Sequence, residues 1–179
     1  MQKRITAGLM AGVVFVLAGL SGCGLSPQQA RPEPRLSSVL TPVAQGQAVS
    51  VRVTDARASN VLGNRGGLYE NSNPVTAEGR AFLPRLQAEV EAGLRMRGFV
   101  IQPAGQAAAE FDLQVTELTY QLADGRTVMG EVELTATYLL HLRKSGRTQK
   151  STHTANLAKK FAKAPSDAAN NQLLSTVMS

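Results

Sequence analysis

The sequence predicts an α+β domain: a two-layer sandwich in which one long helix packs on a mostly antiparallel sheet, in the order β-α-β-β-β-β-α. Three observations carry this expectation. A strict two-residue alternation at 48–53 precedes a helical stripe over 83–97. Long alternating segments separated by tight-turn signals fill 111–157. A second, shorter helical stripe follows them.

The first strand is Ala48-Val49-Ser50-Val51-Arg52-Val53, with valines on one side and polar residues on the other. Asp55-Ala56-Arg57 follows, and then a polar stretch with Asn60, Asn64, Gly66, Gly67, Asn71, Asn73 and Pro74. It reads as one long loop over 58–77, long enough to suggest function. Leu83, Leu86, Val90 and Leu94 then fall on one helical face. Pro84 suits the first turn of that helix, where its missing N–H costs nothing. Arg95 and Arg97 suit its last turn, and Gly98 its C-terminal end. Phe99-Val100-Ile101 reads as a short strand stopped by Pro103 and Gly105.

Phe111, Leu113 and Val115 alternate at odd numbers, whereas Leu118, Tyr120 and Leu122 alternate at even ones. One strand with a bulge near Thr116–Glu117 reconciles the two phases. Asp124-Gly125 signals a hairpin. Val132, Leu134, Ala136, Tyr138, Leu140 and Leu142 define one face of the next strand, and Ser145-Gly146 turns the chain again. If that turn is a two-residue loop, paired residue numbers sum to about 291. Thr148 to Leu157 then forms a more polar strand near an edge. Ser166 is an N-cap candidate for the last helix, with Asp167 in its first turn and Leu173, Leu174 and Val177 on one face. That stripe is still running at Ser179, so either the natural chain is longer or this helix is short.

The first residues carry a different message. Lys3 and Arg4 precede an uncharged run from Ile5 to Leu20, the pattern of a secretory signal. Sixteen residues rich in Ala and Gly are short for a permanent span, which needs about 20. Leu20-Ser21-Gly22-Cys23 resembles the lipobox of bacterial lipoproteins. The resemblance implies cleavage between Gly22 and Cys23 and a diacylglyceryl group on the Cys23 thiol. A covalent diacylglycerol and N-acyl lipid on Cys23 would be the only attached group, with no cofactor and no metal. Two or more acyl chains hold a protein stably at a membrane. Cys23 is the only cysteine, so no disulfide framework is available. Gly24, Leu25 and Ser26 follow it without an Asp, which favours the inner leaflet of the outer membrane, facing the periplasm. The chain thus divides into a signal peptide (1–22), a lipidated N-terminus and flexible tether (23–46), and a single periplasmic α+β domain (47–179). The tether reading rests on Pro27, Pro32, Pro34 and Pro42 among polar residues.

Nineteen basic and thirteen acidic residues fall to 17 and 13 once Lys3 and Arg4 leave, a net charge of 17 − 13 = +4. Seven cations and no acid lie between Arg143 and Lys163. They read either as a patch for an anionic envelope partner or as solvated edge strands kept soluble. Nucleic acid is a poor partner, because stacking aromatics are scarce and the compartment is wrong.

Motifs for catalysis are missing: there is no phosphate loop, zinc-protease helix, Gly-x-Ser-x-Gly elbow or Cys pair. In the hairpin register, His141 opposes Lys150 and His153 opposes Tyr138, so the two imidazoles leave opposite faces and share no metal. Glu131 opposes Lys160, a cross-strand ion pair rather than a catalytic acid. Asp55 and Arg57 are the remaining candidates. They read as a polar surface site for a ligand carboxylate or a partner, or as a loop cap in which Arg57 pairs with Asp55.

The lipobox, Val49-x-Val51-x-Val53-x-Asp55-x-Arg57 with Leu62-Gly63 downstream, the helix closing on Arg97-Gly98-Phe99, and the polar strands together resemble the YajG-type lipoprotein family. The resemblance runs from about residue 48 to 179. It implies an envelope lipoprotein with no established enzyme activity. The function expected is therefore a non-catalytic, membrane-anchored binding or accessory module with an envelope protein or glycan partner. The alternative is a lipid or glycan binder, or an assembly factor for lipopolysaccharide or peptidoglycan. A ligand binder would need an apolar cavity between the helix 83–97 and the sheet.

Overall fold

The computed structural model describes residues 25–36, 38–66, 72–123, 125 and 129–179. Its elements are β1 (Gln28–Gln29), β2 (Ala48–Asp55), β3 (Val61–Asn64), β4 (Pro74–Thr76), α1 (Gly79–Met96), β5 (Val100–Ile101), β6 (Ala109–Leu122), β7 (Glu131–Lys144), β8 (Arg147–Lys160) and α2 (Asp167–Val177). The class is α+β, as expected. The simple two-layer sandwich with one long helix is not what forms: the sheet, antiparallel in its longest ladders but mixed overall, curls into a half-barrel. The β6–β7 and β7–β8 ladders are antiparallel, but β2 pairs parallel with both β5 and β6, and β3 pairs parallel with β6.

The cause lies in β6. Its register shifts between Val115 and Glu117, the bulge that the phase change in the sequence requires. Before the bulge its outer edge pairs with β2, from Ala109 opposite Val49 to Val115 opposite Asp55. After the bulge the same edge pairs with β3, at Tyr120 opposite Gly63. One strand thus serves two partners that diverge at the kink. Gly63 makes the second pairing possible, because a Cβ there would collide with the Tyr120 carbonyl.

The single loop expected over 58–77 is corrected by this arrangement. β3 and β4 form an antiparallel pair inside it, and Leu62 and Val75 reach the core. Gly67 and Asn71 lie outside the described residues. The helix α1 also starts earlier than expected, so Pro84 sits inside it rather than in its first turn. Pro84 is exposed, which lets its ring avoid the sheet. Phe82, Leu86 and Gly93 are buried on the helix, with Leu83 and Val90 packed at the margin. Gly98 follows the C-cap with φ +90°, and a Cβ there would strike the Ala44 carbonyl.

The β7–β8 hairpin keeps the expected register throughout, from Lys144 opposite Arg147 to Glu131 opposite Lys160. β8 has no strand on its other side among the described residues. The connection from β6 to β7 is a hairpin too; Gly125 has φ +68°, and Asp124 lies outside the described residues. Ser166 caps α2 by accepting from the Ala169 N–H at 3.2 Å. Leu174, Val177 and Met178 meet Tyr120, Val132, Leu134 and Ala136 in the core.

Residues 25–46 are the largest departure. The sequence predicts a flexible tether there, yet the segment lies against the domain. β1 pairs with β4, and Ala30, Pro32 and Pro34 are buried. The backbone N–H groups of Arg31, Glu33 and Arg35 donate to Asn171 Oδ1, Ser175 Oγ and Ser179 Oγ at 2.9, 2.7 and 2.9 Å. Two extended residues advance about 6.5 Å and four helical residues about 6 Å, so alternate strap amides meet every fourth residue along α2 and just past its C-cap. The intervening Pro32 and Pro34 have no N–H to leave unsatisfied when buried. The strap then continues along α1. Leu36 N–H donates to Glu89 Oε2 at 2.8 Å, and the N–H groups of Val43 and Ala44 both donate to the Arg97 carbonyl at 2.9 Å.

Candidate functional site

Gly22 and Cys23, the expected cleavage and lipidation residues, lie outside the described residues. The chain that leads to them is held firmly at its first described turn. Arg65, nearly buried, donates through Nη1 to the Ser26 carbonyl at 3.2 Å and to Asp167 Oδ1 at 2.6 Å. Its Nη2 donates to the Pro165 carbonyl at 2.8 Å. One guanidinium therefore joins the entry of the strap, the end of the β8–α2 connection and the first turn of α2. No motif marks Arg65 in the sequence; its Asn-Arg-Gly setting reads as a loop.

Asp55 and Arg57 come together, but not as an open surface site. The Arg57 side chain is only 4% exposed and that of Asp55 22%. Arg57 Nε and Nη2 donate to the two Asp55 oxygens at 2.8 Å each, and Nη2 also reaches the Ala77 carbonyl at 2.7 Å. The Arg57 N–H completes the loop cap to Asp55 Oδ1 at 3.2 Å. The guanidinium lies 5.0 Å from the centre of the Phe82 ring. This pair fastens the end of β2 to the start of α1. Glu78, the N-cap of α1, makes no side-chain cap bond, and the first turn carries no acid. Asp55 stands beside Gly79 in its place, so close that a Cβ on Gly79 would meet Asp55 Oδ2 at 2.8 Å. A carboxylate there complements the helix N-terminus. The Arg57 hydrogen bonds hold the Asp55 carboxyl below the usual carboxylate range against the opposing effect of burial. With the fork closed on Asp55, a ligand carboxylate has no free face of Arg57 to occupy; its Nη1 is buried and unpartnered.

A second cluster carries no motif of its own. Asp112 on β6 is buried, and Arg52 on the neighbouring β2 donates to its oxygens through Nε at 3.2 Å and Nη2 at 3.1 Å. Gln114 Nε2 donates at 3.3 Å, and His141 Nδ1 of β7 is 3.9 Å away. Burial works to raise the Asp112 pKa, but the Arg52 and Gln114 hydrogen bonds and the nearby charges outweigh it, and the carboxyl titrates lower than usual. The only signal in the sequence is the charged residue inside each alternating run, at paired even positions 52 and 112. His141 and His153 leave opposite faces of the sheet, as the register requires: His153 Nε2 lies 3.1 Å from Ser151 Oγ.

The remaining feature is apolar. A groove of about 370 Å³ opens between α1 and the sheet, lined chiefly by Leu36, Leu86, Val90, Leu113, Tyr138 and Leu140. The strap forms one rim, and Met178 with Ser179 another. The Tyr138 hydroxyl donates to the Met178 carbonyl at 3.2 Å, so the aromatic ring faces the groove with its polar tip satisfied. Burial raises the pKa of this phenol, which stays neutral across the physiological range.

Comparison with known proteins places the chain in a family. No curated protein matches the chain. Among solved structures, protein XCC0632 from Xanthomonas campestris, assigned to family model DUF330, aligns with TM-score 0.48 and 13% identity over 86% of this chain and 89% of its own. An uncharacterized protein aligns with TM-score 0.42 and 17% identity over 86% and 90%. A point-substituted PelC dodecamer from Paraburkholderia phytofirmans aligns with TM-score 0.35 and 15% identity over 79% and 93%. Among the described residues, no helix is long and apolar enough to cross a membrane. The family model described as "uncharacterized lipoprotein" matches residues 34–179, the whole domain and the second half of the strap. The chain therefore belongs to the uncharacterized lipoproteins of the YajG type, the family its strand order resembles.

Proposed function

We propose that this lipoprotein is a non-catalytic binding module, anchored through acylated Cys23 in the outer membrane and facing the periplasm, that holds an apolar chain in the groove between α1 and the sheet. The groove is the observation that carries the binding reading. Its size suits a single acyl chain or a comparably slim apolar group, and its lining offers almost no polar contact. The acids that chemistry would recruit are committed elsewhere: Asp55 and Asp112 are each forked by an arginine and titrate low, which makes them weak bases.

Displacement of a fluorescent fatty acid tests this. Binding should be saturable and should fall at least severalfold in Leu113→Trp, which fills the groove, while thermal unfolding stays cooperative. A folded protein that binds no probe, or binds it equally after the groove is filled, would reject the reading.

A second reading has its own observation. β8 offers an outer edge of 14 residues with no strand beside it among the described residues. An extended segment of an envelope protein could add there as a further strand. Envelope crosslinking from β8 positions that recovers one protein along a continuous run of residues would favour it, and crosslinks scattered over many proteins would not.

A further inference from the structure

The strap fixes where the domain meets its membrane. Ser26 is pinned by Arg65, and Gln28 is in the sheet opposite Val75. Only Gly24 and Leu25 separate Ser26 from Cys23, a reach of about 10 Å over three Cα–Cα steps. Resting on the anchoring of Cys23 proposed above, this leaves the domain no freedom to stand off from the bilayer. One end of the sheet must lie close to it.

That end can be identified from the pairing. β1 runs parallel to β4, so Pro27 and Ser26 lead toward the Pro74 end of β4. Pro74 opposes Asn64, and Gly63 opposes Tyr120 near the end of β6. Leu122 in turn opposes Val132, and Val132 opposes Lys159. The chain toward Cys23 therefore leaves from the end that carries Met129, the β8 terminus and the start of α2. Lys159, Lys160 and Lys163 are exposed there, and Met129 is 73% exposed. Phe161 lies among the lysines, half-buried, and lines two adjoining surface hollows with Lys160. The described acids nearby are Glu131, opposite Lys160, Glu133, opposite Ala158, and Asp167, which Arg65 occupies.

Charge alone would not choose this end. Lys144, Arg147 and Lys150 sit at the other end of the same hairpin. But 14 residues of strand separate the two ends by roughly 45 Å. That is several Debye lengths at physiological salt and far beyond the reach of the segment between Ser26 and Cys23. The exit of the chain decides between them.

We infer that the face formed by Lys159, Lys160, Phe161, Lys163 and Met129 rests on the anionic phospholipid headgroups of the bilayer that holds Cys23, so that the domain stands upright with the Lys144–Arg147 turn farthest from the membrane. The lysines meet headgroup phosphates, and Met129 and Phe161 supply apolar contact at the interface. Each lysine near an anionic surface strengthens association about fivefold.

The methionine methyl groups test the orientation directly. Met129 marks the proposed contact end, and Met96, at the end of α1 near the β2–β5 pairing, marks the far one. The lipidated protein would be placed in nanodiscs of phosphatidylethanolamine and phosphatidylglycerol containing a gadolinium-chelating lipid. The expected result is strong broadening of the Met129 methyl signal and little at Met96. The triple variant K159E/K160E/K163E should lose most of that difference, and K144E/R147E should keep it. Equal broadening at both methyls in a folded, acylated protein would overturn the orientation while leaving the anchor intact. Mass spectrometry of the same preparation reads the anchor separately. A Cys23 found without acyl chains would overturn both.

Discussion

The two arginine–aspartate pairs have the same chemistry and opposite burial. In Asp55–Arg57 the arginine is buried, 4% exposed, and the aspartate is 22% exposed. In Arg52–Asp112 the arginine is 64% exposed and the aspartate 6%. The difference matters because the buried partner is the one left stranded when the other is lost. A buried guanidinium cannot discharge itself, since it does not lose its proton in a protein. A buried carboxylate can take up a proton and become neutral. The first pair is therefore the brittle one.

Replacing one partner at a time separates the two cases. The largest loss is expected for Asp55→Ala, which strands Arg57 beneath Phe82 and removes the acid at the α1 N-terminus. Breaking a buried pair in this way costs about 3 kcal/mol or more, read from urea unfolding. Arg57→Lys keeps the charge but loses the fork to Asp55 and Ala77, and should cost about 2 kcal/mol. Ser175→Ala, a neutral reference, leaves the Glu33 N–H at the strap without its acceptor and should cost about 1 kcal/mol. Arg52→Ala should cost less than either change at the buried pair, because Asp112 keeps Gln114 and can protonate. If Arg52→Ala proves as damaging as Asp55→Ala, which partner is buried does not decide how brittle the pair is.

Acid titration sharpens the contrast. Both carboxyls have folded-state pKa values below their unfolded ones. Their contribution is therefore present above the unfolded value of about 4 and is lost as pH falls through the lower folded values. In Arg52→Ala, burial, already the largest single influence on Asp112, loses its chief counterweight, and the pKa should rise. The acid-induced stability loss that Asp112 contributes should then shrink in that variant relative to the parent, and reverse in sign once the folded pKa passes the unfolded value; a carbon-detected titration of the Asp112 carboxyl would show the shift.

The parts of this fold that could be read in advance share a property: their partners are close in sequence. The register of β7 and β8 follows from one Ser-Gly turn and a period of two. The bulge in β6 follows from a change of phase within a single strand. The Ser166 cap is a local signature. The parts that could not be read depend on distant partners. β3 and β4 bring one buried leucine and one buried valine to the core, too few to give a period. The strap looks like a linker because its Pro and polar residues bury little surface of their own. Its order comes from Asn171, Ser175 and Ser179, whose spacing has meaning only once the two segments are side by side. The Asp55–Arg57 cap was visible as one of two readings. The Asp112 cluster was not, because it is assembled from three strands, with Arg52 and His141 reaching Asp112 from its two neighbours.

The hydrogen bonds of the strap also set an order of events. Gln28, Arg31, Glu33 and Arg35 bond residues that lie 139 to 144 positions later in the chain. In a polypeptide delivered N-terminus first, these early residues wait for the last helix before they can settle. During that interval the donors of residues 28–35 have no α2 acceptors, and the segment stays accessible. Once α2 arrives, the same segment is withdrawn into the domain. Completion of folding thus acts as a clock that closes the period in which this segment is open to enzymes that bind extended chains.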